Sequence, residues 1–154
     1  MKILLTGCCG FIGFNFVNSL VKTNKKIKIV GIDNLNNYYS VGLKKARLKI
    51  LLKSKNFTFQ KMDLENLKLL NNLFKKNKFD CIFHLAAQAG VRYSIKNPKK
   101  YIDSNIIGFF NIIELARKTN IKKIFYASSS SVYGDSKKFP LNEKTIINPK
   151  NVYG

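Results

Sequence analysis

Thr6-Gly7-Cys8-Cys9-Gly10-Phe11-Ile12-Gly13 is the stretch from which the rest of the chain is read. The apolar run Ile3-Leu4-Leu5 before it reads as a short buried strand. Phe11, Ile12, Phe14, Phe16, Val17, Leu20 and Val21 after it read as a helix with one broad buried face. Three glycines at such a turn have separate physical jobs. Gly7 permits the tight turn, Gly10 lets the backbone approach a pyrophosphate, and Gly13 lets the helix pack closely on the strand. The helix start adds unpaired N–H groups and the positive end of its dipole. A second strand, Lys28-Ile29-Val30-Gly31-Ile32, ends at Asp33. This carboxylate lies about 20 positions after Gly13, the place from which an acidic side chain binds the adenosine ribose hydroxyls. A 2′-phosphate there would meet like charge, so NAD is the expected cofactor rather than NADP.

A chain of 154 residues can bury one real core. No apolar run is long enough to span a bilayer, so no membrane partner is expected. The start runs straight into the glycine loop without a leader pattern, and the cytoplasm is the expected compartment. Cys8, Cys9 and Cys81 show no metal-ligand spacing, and His84 is the single histidine; no metal is expected. The net charge of +20 raises nucleic acid as a partner. All the basic residues except Arg47, Arg92 and Arg117 are lysines, however, whereas phosphate and base readout leans on arginine forks. The lysines, Lys44 and Lys45 among them, read as filling turns and polar helix faces, so no nucleic acid is expected.

Further along, Asn34-Leu35-Asn36-Asn37-Tyr38-Tyr39 is a polar turn. A helix from Gly42 to Lys53 follows, with Leu43, Ala46, Leu48, Ile50 and Leu51 as its apolar face. Phe57 to Lys61 alternates as a strand and ends at Met62-Asp63-Leu64, which runs into a helix through Phe74. Phe79 to Ala86 reads as a strongly apolar strand, Ala87 to Ser94 as a loop, Pro98 to Thr119 as one long helix, and Lys123 to Ser128 as a fifth strand. Strands alternating with helices predict an α/β fold: a doubly wound parallel sheet of the Rossmann type, with ligands at the carboxyl ends of its strands. The polar clusters at Gly7–Gly13, Asp33, Asp63, Ala87–Ser94 and Ser128–Ser131 all fall at such ends. Two candidates for chemistry stand out: the hydroxyl run Ser128-Ser129-Ser130-Ser131 and Tyr153. A free tyrosine is a poor base at neutral pH and needs a nearby cation.

Thr6–Gly13, Asp33–Asn36, His84-Leu85-Ala86-Ala87-Gln88-Ala89-Gly90-Val91-Arg92-Tyr93-Ser94 and Ser128–Gly134 together resemble the extended short-chain dehydrogenase/reductases. The resemblance is strongest to nucleotide-sugar 4-epimerases, those acting on UDP-glucuronate above all. It implies that Gly7, Gly10 and Gly13 hold the NAD pyrophosphate, with backbone N–H groups from Phe11 and Ile12. It places the ribose on Asp33 beside Asn34, and the adenine edge on Asp63 and Leu64. Ala86, Ala87 and Gln88 would line the cofactor, and Asn105 would support the site from behind. Arg92, Ser130 and Ser131 are implied substrate contacts. Ser129 would hydrogen-bond the sugar O4, and phenolate Tyr153 would take the C4–OH proton while the C4 hydride goes to NAD+.

Related dehydratases carry an Asp-Glu pair after the serine, and decarboxylating relatives a Glu before the Val-Tyr-Gly; here those places are Ser130 and Ser131. Two hydroxyls suit holding a substrate carboxylate. The family's Lys, four positions after the Tyr, would fall beyond Gly154. Residues 1–154 are therefore expected to be an incomplete NAD-binding domain without turnover, from a longer form that is a homodimer acting on a UDP-sugar. Two other readings stand beside this one: a UDP-glucose 4-epimerase or another epimerase/dehydratase, and a non-catalytic NAD-binding module.

Overall fold

The computed structural model describes residues 1–137 and 139–154. Five parallel strands form one sheet in the order β3-β2-β1-β4-β5: β1 Lys2–Thr6, β2 Lys28–Asp33, β3 Phe57–Lys61, β4 Cys81–His84 and β5 Ile124–Tyr126. The chain winds outward from β1 to β3, returns, and continues on the other side through β4 and β5. The strand order therefore switches between β1 and β4, the place where this architecture opens a crevice. This is the doubly wound arrangement expected from the alternation of strand and helix patterns.

Side-chain alternation along the central strands builds two cores. Leu4, Val30, Ile32 and Ile82 face one way and pack on Leu70, Leu73 and Phe74 of α3 (Leu67–Lys76) and on Ile112, Leu115 and Ala116 of α6 (Gly108–Lys118). Ile3, Leu5, Ile29 and Cys81 face the other way, onto Val17 and Val21 of α1 (Phe11–Thr23) and Leu51 of α2 (Val41–Leu51). A strand covered on both faces must be apolar at every position, and Ile3-Leu4-Leu5 reads so for that reason. Each fully buried Leu, Ile or Val contributes about 1.5–3 kcal/mol, so these two layers carry most of the folding free energy.

Several elements differ from the sequence reading. The buried face of α1 is narrower: Phe11 is 71% exposed, Ile12 is also exposed, and Gly13, Val17 and Val21 form the seam. In α2, Leu43 and Ile50 point outward, while Lys44, read as a surface lysine, is 4% exposed. Helix α2 packs chiefly beside α1 and meets the core layer through Leu51, so only a narrow stripe of it is covered. The helix after Met62-Asp63-Leu64 begins only at Leu67, where the Asn66 side chain accepts the Leu69 N–H. Strand β4 stops pairing at His84, because the Leu85 and Ala86 amides turn to the Thr6 hydroxyl. Val91–Lys96 is a helix (α4), where a loop was expected over Val91–Ser94. The long helix is present as α5 (Pro98–Tyr101) and α6, joined by a wider turn over Ile102–Ile107. Strand β5 lies at the sheet edge, with Phe125 52% and Tyr126 63% exposed. Among the described residues no helix is long and apolar enough to cross a membrane.

Candidate cofactor site

Thr6, the last residue of β1, organises the switch point. Its hydroxyl oxygen accepts the Leu85 and Ala86 amides at 3.1 and 3.0 Å. The hydroxyl proton is left for His84 Nδ1 at 3.1 Å, so the ring carries its own proton on Nε2. Burial pulls the His84 pKa from 6.5 down to about 4. In the unfolded chain the ring protonates first, so stability is fully present above the unfolded pKa and is lost as pH falls toward the folded one. Going from about pH 7 to about pH 5 is expected to cost about 2 kcal/mol through this group. Urea titrations at the two pH values check this, with His84→Gln expected to reduce the difference by that amount.

After Thr6 the chain turns sharply. Gly7 has φ +71, and a Cβ there would lie 2.8 Å from the Ala86 nitrogen, so two crossing backbones meet where no side chain fits. Gly10 stands at the N-cap of α1 without a side-chain cap, and no acidic residue occupies the first turn. The first amides of α1 are thus without side-chain partners, and Gly10 puts no side chain in the way of a ligand approaching them. Asp33, 9% exposed, accepts the Cys9 N–H through Oδ2 at 3.0 Å and the Leu35 N–H through Oδ1 at 2.8 Å. It ties the ends of β1 and β2 together. Asn34 Nδ2 donates to Asp63 Oδ1 at 2.7 Å, bringing the end of β3 into the same rim.

These ends enclose a groove of about 330 Å³, within the range of small-molecule sites. Gly7, Gly10, Asp33, Asn34, Asp63, Leu64, Ala86, Ala87 and Gln88 all line it, from positions spread over the chain. Gly13 lies beneath the loop, in the contact between α1 and β1. Asn105 stands behind the far wall. It accepts the Gln88 N–H at 2.7 Å and donates to the Gln88 carbonyl at 3.0 Å. Asn105→Ala is expected to free this wall and weaken dinucleotide binding about tenfold, since two paired backbone groups of about 1 kcal/mol each lose their partner. Isothermal titration checks it.

The structure also assigns residues that the sequence reading passed over. Lys44 Nζ donates to the Asn36 carbonyl at 2.9 Å and to Asn36 Oδ1 at 2.7 Å, and lies over the Tyr39 ring at 4.4 Å. Burial lowers its pKa. It closes one wall of the groove and holds the Asn36–Tyr39 turn in place. Tyr101, wholly buried, donates to the Ala89 and Gly90 carbonyls. The wider helical turn at Ile102–Ile107 presents Asp103 and Ser104 to the groove and Asn105 to Gln88. An i→i+5 turn has no composition signature of its own, so nothing in the sequence marked it.

Ser129, Ser130, Ser131, Arg92 and Tyr153 do not line this groove. Ser129 caps a tight turn over Ser130–Tyr133, where its hydroxyl donates to Ser131 Oγ at 3.3 Å and accepts the Ser131 N–H at 3.2 Å. Tyr153 meets the edge of Tyr101, with ring centroids 5.9 Å apart.

A parallel sheet wound about β1, a bare glycine turn into α1 and a buried acid ending β2 define a dinucleotide-binding domain. The chain belongs to the GDP-mannose 4,6 dehydratase family, whose model matches residues 4–154. It is 49% identical to Protein CapI of Staphylococcus aureus over 154 residues, 99% of this chain and 45% of that protein. It is 45% identical to a UDP-glucuronate 4-epimerase of Thermodesulfobacterium geofontis over 130 residues, 84% of this chain and 40% of the relative. Its fold is similar to that of UDP-glucuronic acid 4-epimerase from Bacillus cereus solved with UDP-glucuronic acid and NAD. There the TM-score is 0.87 at 33% identity, covering 99% of this chain and 48% of that one. The chain spans about half the length of the curated relatives it matches. These likenesses bear out the resemblance to the extended short-chain epimerases.

Proposed function

We propose that this chain is the NAD-binding part of a nucleotide-sugar 4-epimerase whose substrate is a UDP-hexuronate. The observation that carries the reading is the convergence of Gly7, Gly10, Asp33, Asp63 and Gln88 on one groove at the switch point. A ribose hydroxyl pair fits an Asp33 already held by two amides, and a diphosphate fits the unpartnered start of α1. The bound nicotinamide supplies a reversible hydride acceptor. The protein's own part is proton handling and orientation. Tyr153 takes the proton of the sugar C4 hydroxyl, and Ser129 donates a hydrogen bond to the oxygen that becomes a carbonyl. The keto sugar then turns within the site to present the opposite face of C4, and Tyr153 returns the proton to the C4 oxygen.

Ser130 and Ser131 stand where a dehydratase or decarboxylating relative has carboxylates, which removes the acid–base pair for eliminating water. Their hydroxyls, with Arg92, suit the carboxylate of a uronate. Exposed Ile106, Phe110 and Ile113, spaced along one face of the α5–α6 helix, support homodimerisation of the working enzyme. The cytoplasm suits a nucleotide-sugar enzyme of this kind. The test gives the longer form, with residues 1–154 as its NAD-binding part, NAD+ and either UDP-glucuronate or UDP-glucose, with C4 configuration followed by proton NMR; residues 1–154 alone are expected to bind NAD without turnover. UDP-galacturonate formed from the first substrate alone is the expected result. Equal turnover of both, or turnover of neither with NAD bound, overturns the substrate reading.

A further inference from the structure

Two adjacent thiols inside the glycine turn take no part in the reading above. Cys8 and Cys9 are both fully buried, and their sulfur atoms lie 3.8 Å apart. The Asp33 carboxylate joins them, all three ligand atoms falling within 4.8 Å of one another. The sulfur separation is informative. Two thiolates at about 2.3 Å from a tetrahedral zinc-group ion stand about 3.8 Å apart. The side chains already hold that spacing. We propose that Cys8, Cys9 and Asp33 form a binding site for a soft divalent cation of the zinc group, and that the loaded site excludes the dinucleotide.

The ligand chemistry selects the cation class. Two sulfurs and one carboxylate favour Zn2+ or Cd2+ over Mg2+ or Ca2+, which require an all-oxygen shell. Binding replaces two thiol protons with two sulfur–metal bonds, and both protons leave to solvent. Two thiolates and a carboxylate exceed the charge of a divalent ion by one. Arg47, whose Nη1 donates to the Cys9 carbonyl at 3.3 Å, and Lys44, electrostatically coupled to both Asp33 and Cys9, lie close enough to offset it. Asp33 lines the groove, while the two thiols lie behind it in the apolar layer beside Ile3, Leu5 and Val17.

The second half of the proposal rests on the groove being the NAD site. Asp33 cannot ligate a cation and accept both ribose hydroxyls at once, so occupancy by one ligand opposes the other. A cell rich in thiophilic metal would then silence the cofactor site directly.

The experiment titrates the full chain with CdCl2 under a phosphine reductant. It follows the ultraviolet thiolate-to-cadmium charge-transfer band, with circular dichroism reporting the fold of each variant. One ion per chain is expected for the unmodified protein and for Cys81→Ala, whose thiol lies in β4 away from the turn. Cys8→Ala and Cys9→Ala are each expected to weaken binding by more than about 100-fold, since losing a ligand exceeds the effect of losing an outer partner. Asp33→Asn is expected to keep the band and bind more weakly. No band in the unmodified protein, a band that survives in folded Cys8→Ala and Cys9→Ala, or one that vanishes in Cys81→Ala overturns the site. NAD affinity is then measured with and without saturating Cd2+. A loss that a chelator reverses supports exclusion, and an unchanged affinity overturns exclusion alone. If the metal-free protein does not bind NAD, the groove reading fails while the cadmium band still decides the cation site.

Discussion

Gly13→Ala is expected to produce the largest loss of both fold and binding. A Cβ at position 13 would overlap the Gly7 carbonyl oxygen and lie 3.0 Å from the Gly7 carbonyl carbon and 3.1 Å from Cys8 Cα. All three are backbone atoms and cannot rotate aside. Helix α1 must tilt off β1, which opens the seam between Val17 and the sheet. Overpacking of this kind costs about 3 kcal/mol, the upper end of its range. In a chain of this length that lowers Tm by about 6–12 °C. The same tilt carries the first amides of α1 away from the diphosphate, so NAD affinity is expected to fall about 100-fold, or about 2.7 kcal/mol. Calorimetry reads both effects. Gly42→Ala is the matched control, because its nearest neighbour would be Ser40 Oγ at 3.6 Å. There Ala is expected to stabilise α2 by about 0.5–1 kcal/mol.

Asp33→Ala is the second. The carboxylate joins the glycine turn to the start of the Asn34–Tyr39 turn through the Cys9 and Leu35 amides. Removing it strands two amides at about 1–3 kcal/mol each. A destabilisation of about 2–4 kcal/mol is expected, together with a drop in NAD affinity of about 100-fold from the lost ribose acceptor. Asp33→Asn retains one acceptor oxygen and is expected to fall between the two. It also removes the negative charge that repels a 2′-phosphate, so the preference for NAD over NADP should narrow by at least about tenfold. Equilibrium dialysis with both dinucleotides measures the ratio. Unchanged NAD affinity in folded Asp33→Ala would remove the basis of the cofactor assignment.

Lys44 and the glycine turn show how differently two kinds of signal can be read. The turn announces itself locally: glycines at fixed offsets between an apolar strand and an apolar helix admit few structures. Lys44 gives no such sign. It is one lysine among many, on a helix whose apolar residues follow no clean stripe. It is buried because the Asn36–Tyr39 turn folds over it and supplies two acceptors and a ring. Leu43 and Ile50 are exposed for the complementary reason, since α2 rests on α1 along a single edge. Periodicity shows that a helix has an apolar side, but not how much of that side a neighbour will cover. The helix at Val91–Lys96 was hidden by its length, six residues being too few for a 3.6-residue period to register.

By itself the sequence determined the alternation of strands and helices that makes a doubly wound parallel sheet, the glycine turn at the end of its first strand and the acid at the end of its second. Each is written in short-range patterns set by backbone sterics and side-chain alternation. Tertiary structure alone decided that Asp33 reaches back to the Cys9 amide, that Asn105 pins Gln88 across the groove, and that Cys8, Cys9 and Asp33 converge. Those meetings join residues distant in sequence. Their positions depend on how helices settle against a twisted sheet, which is a matter of packing that no local pattern encodes.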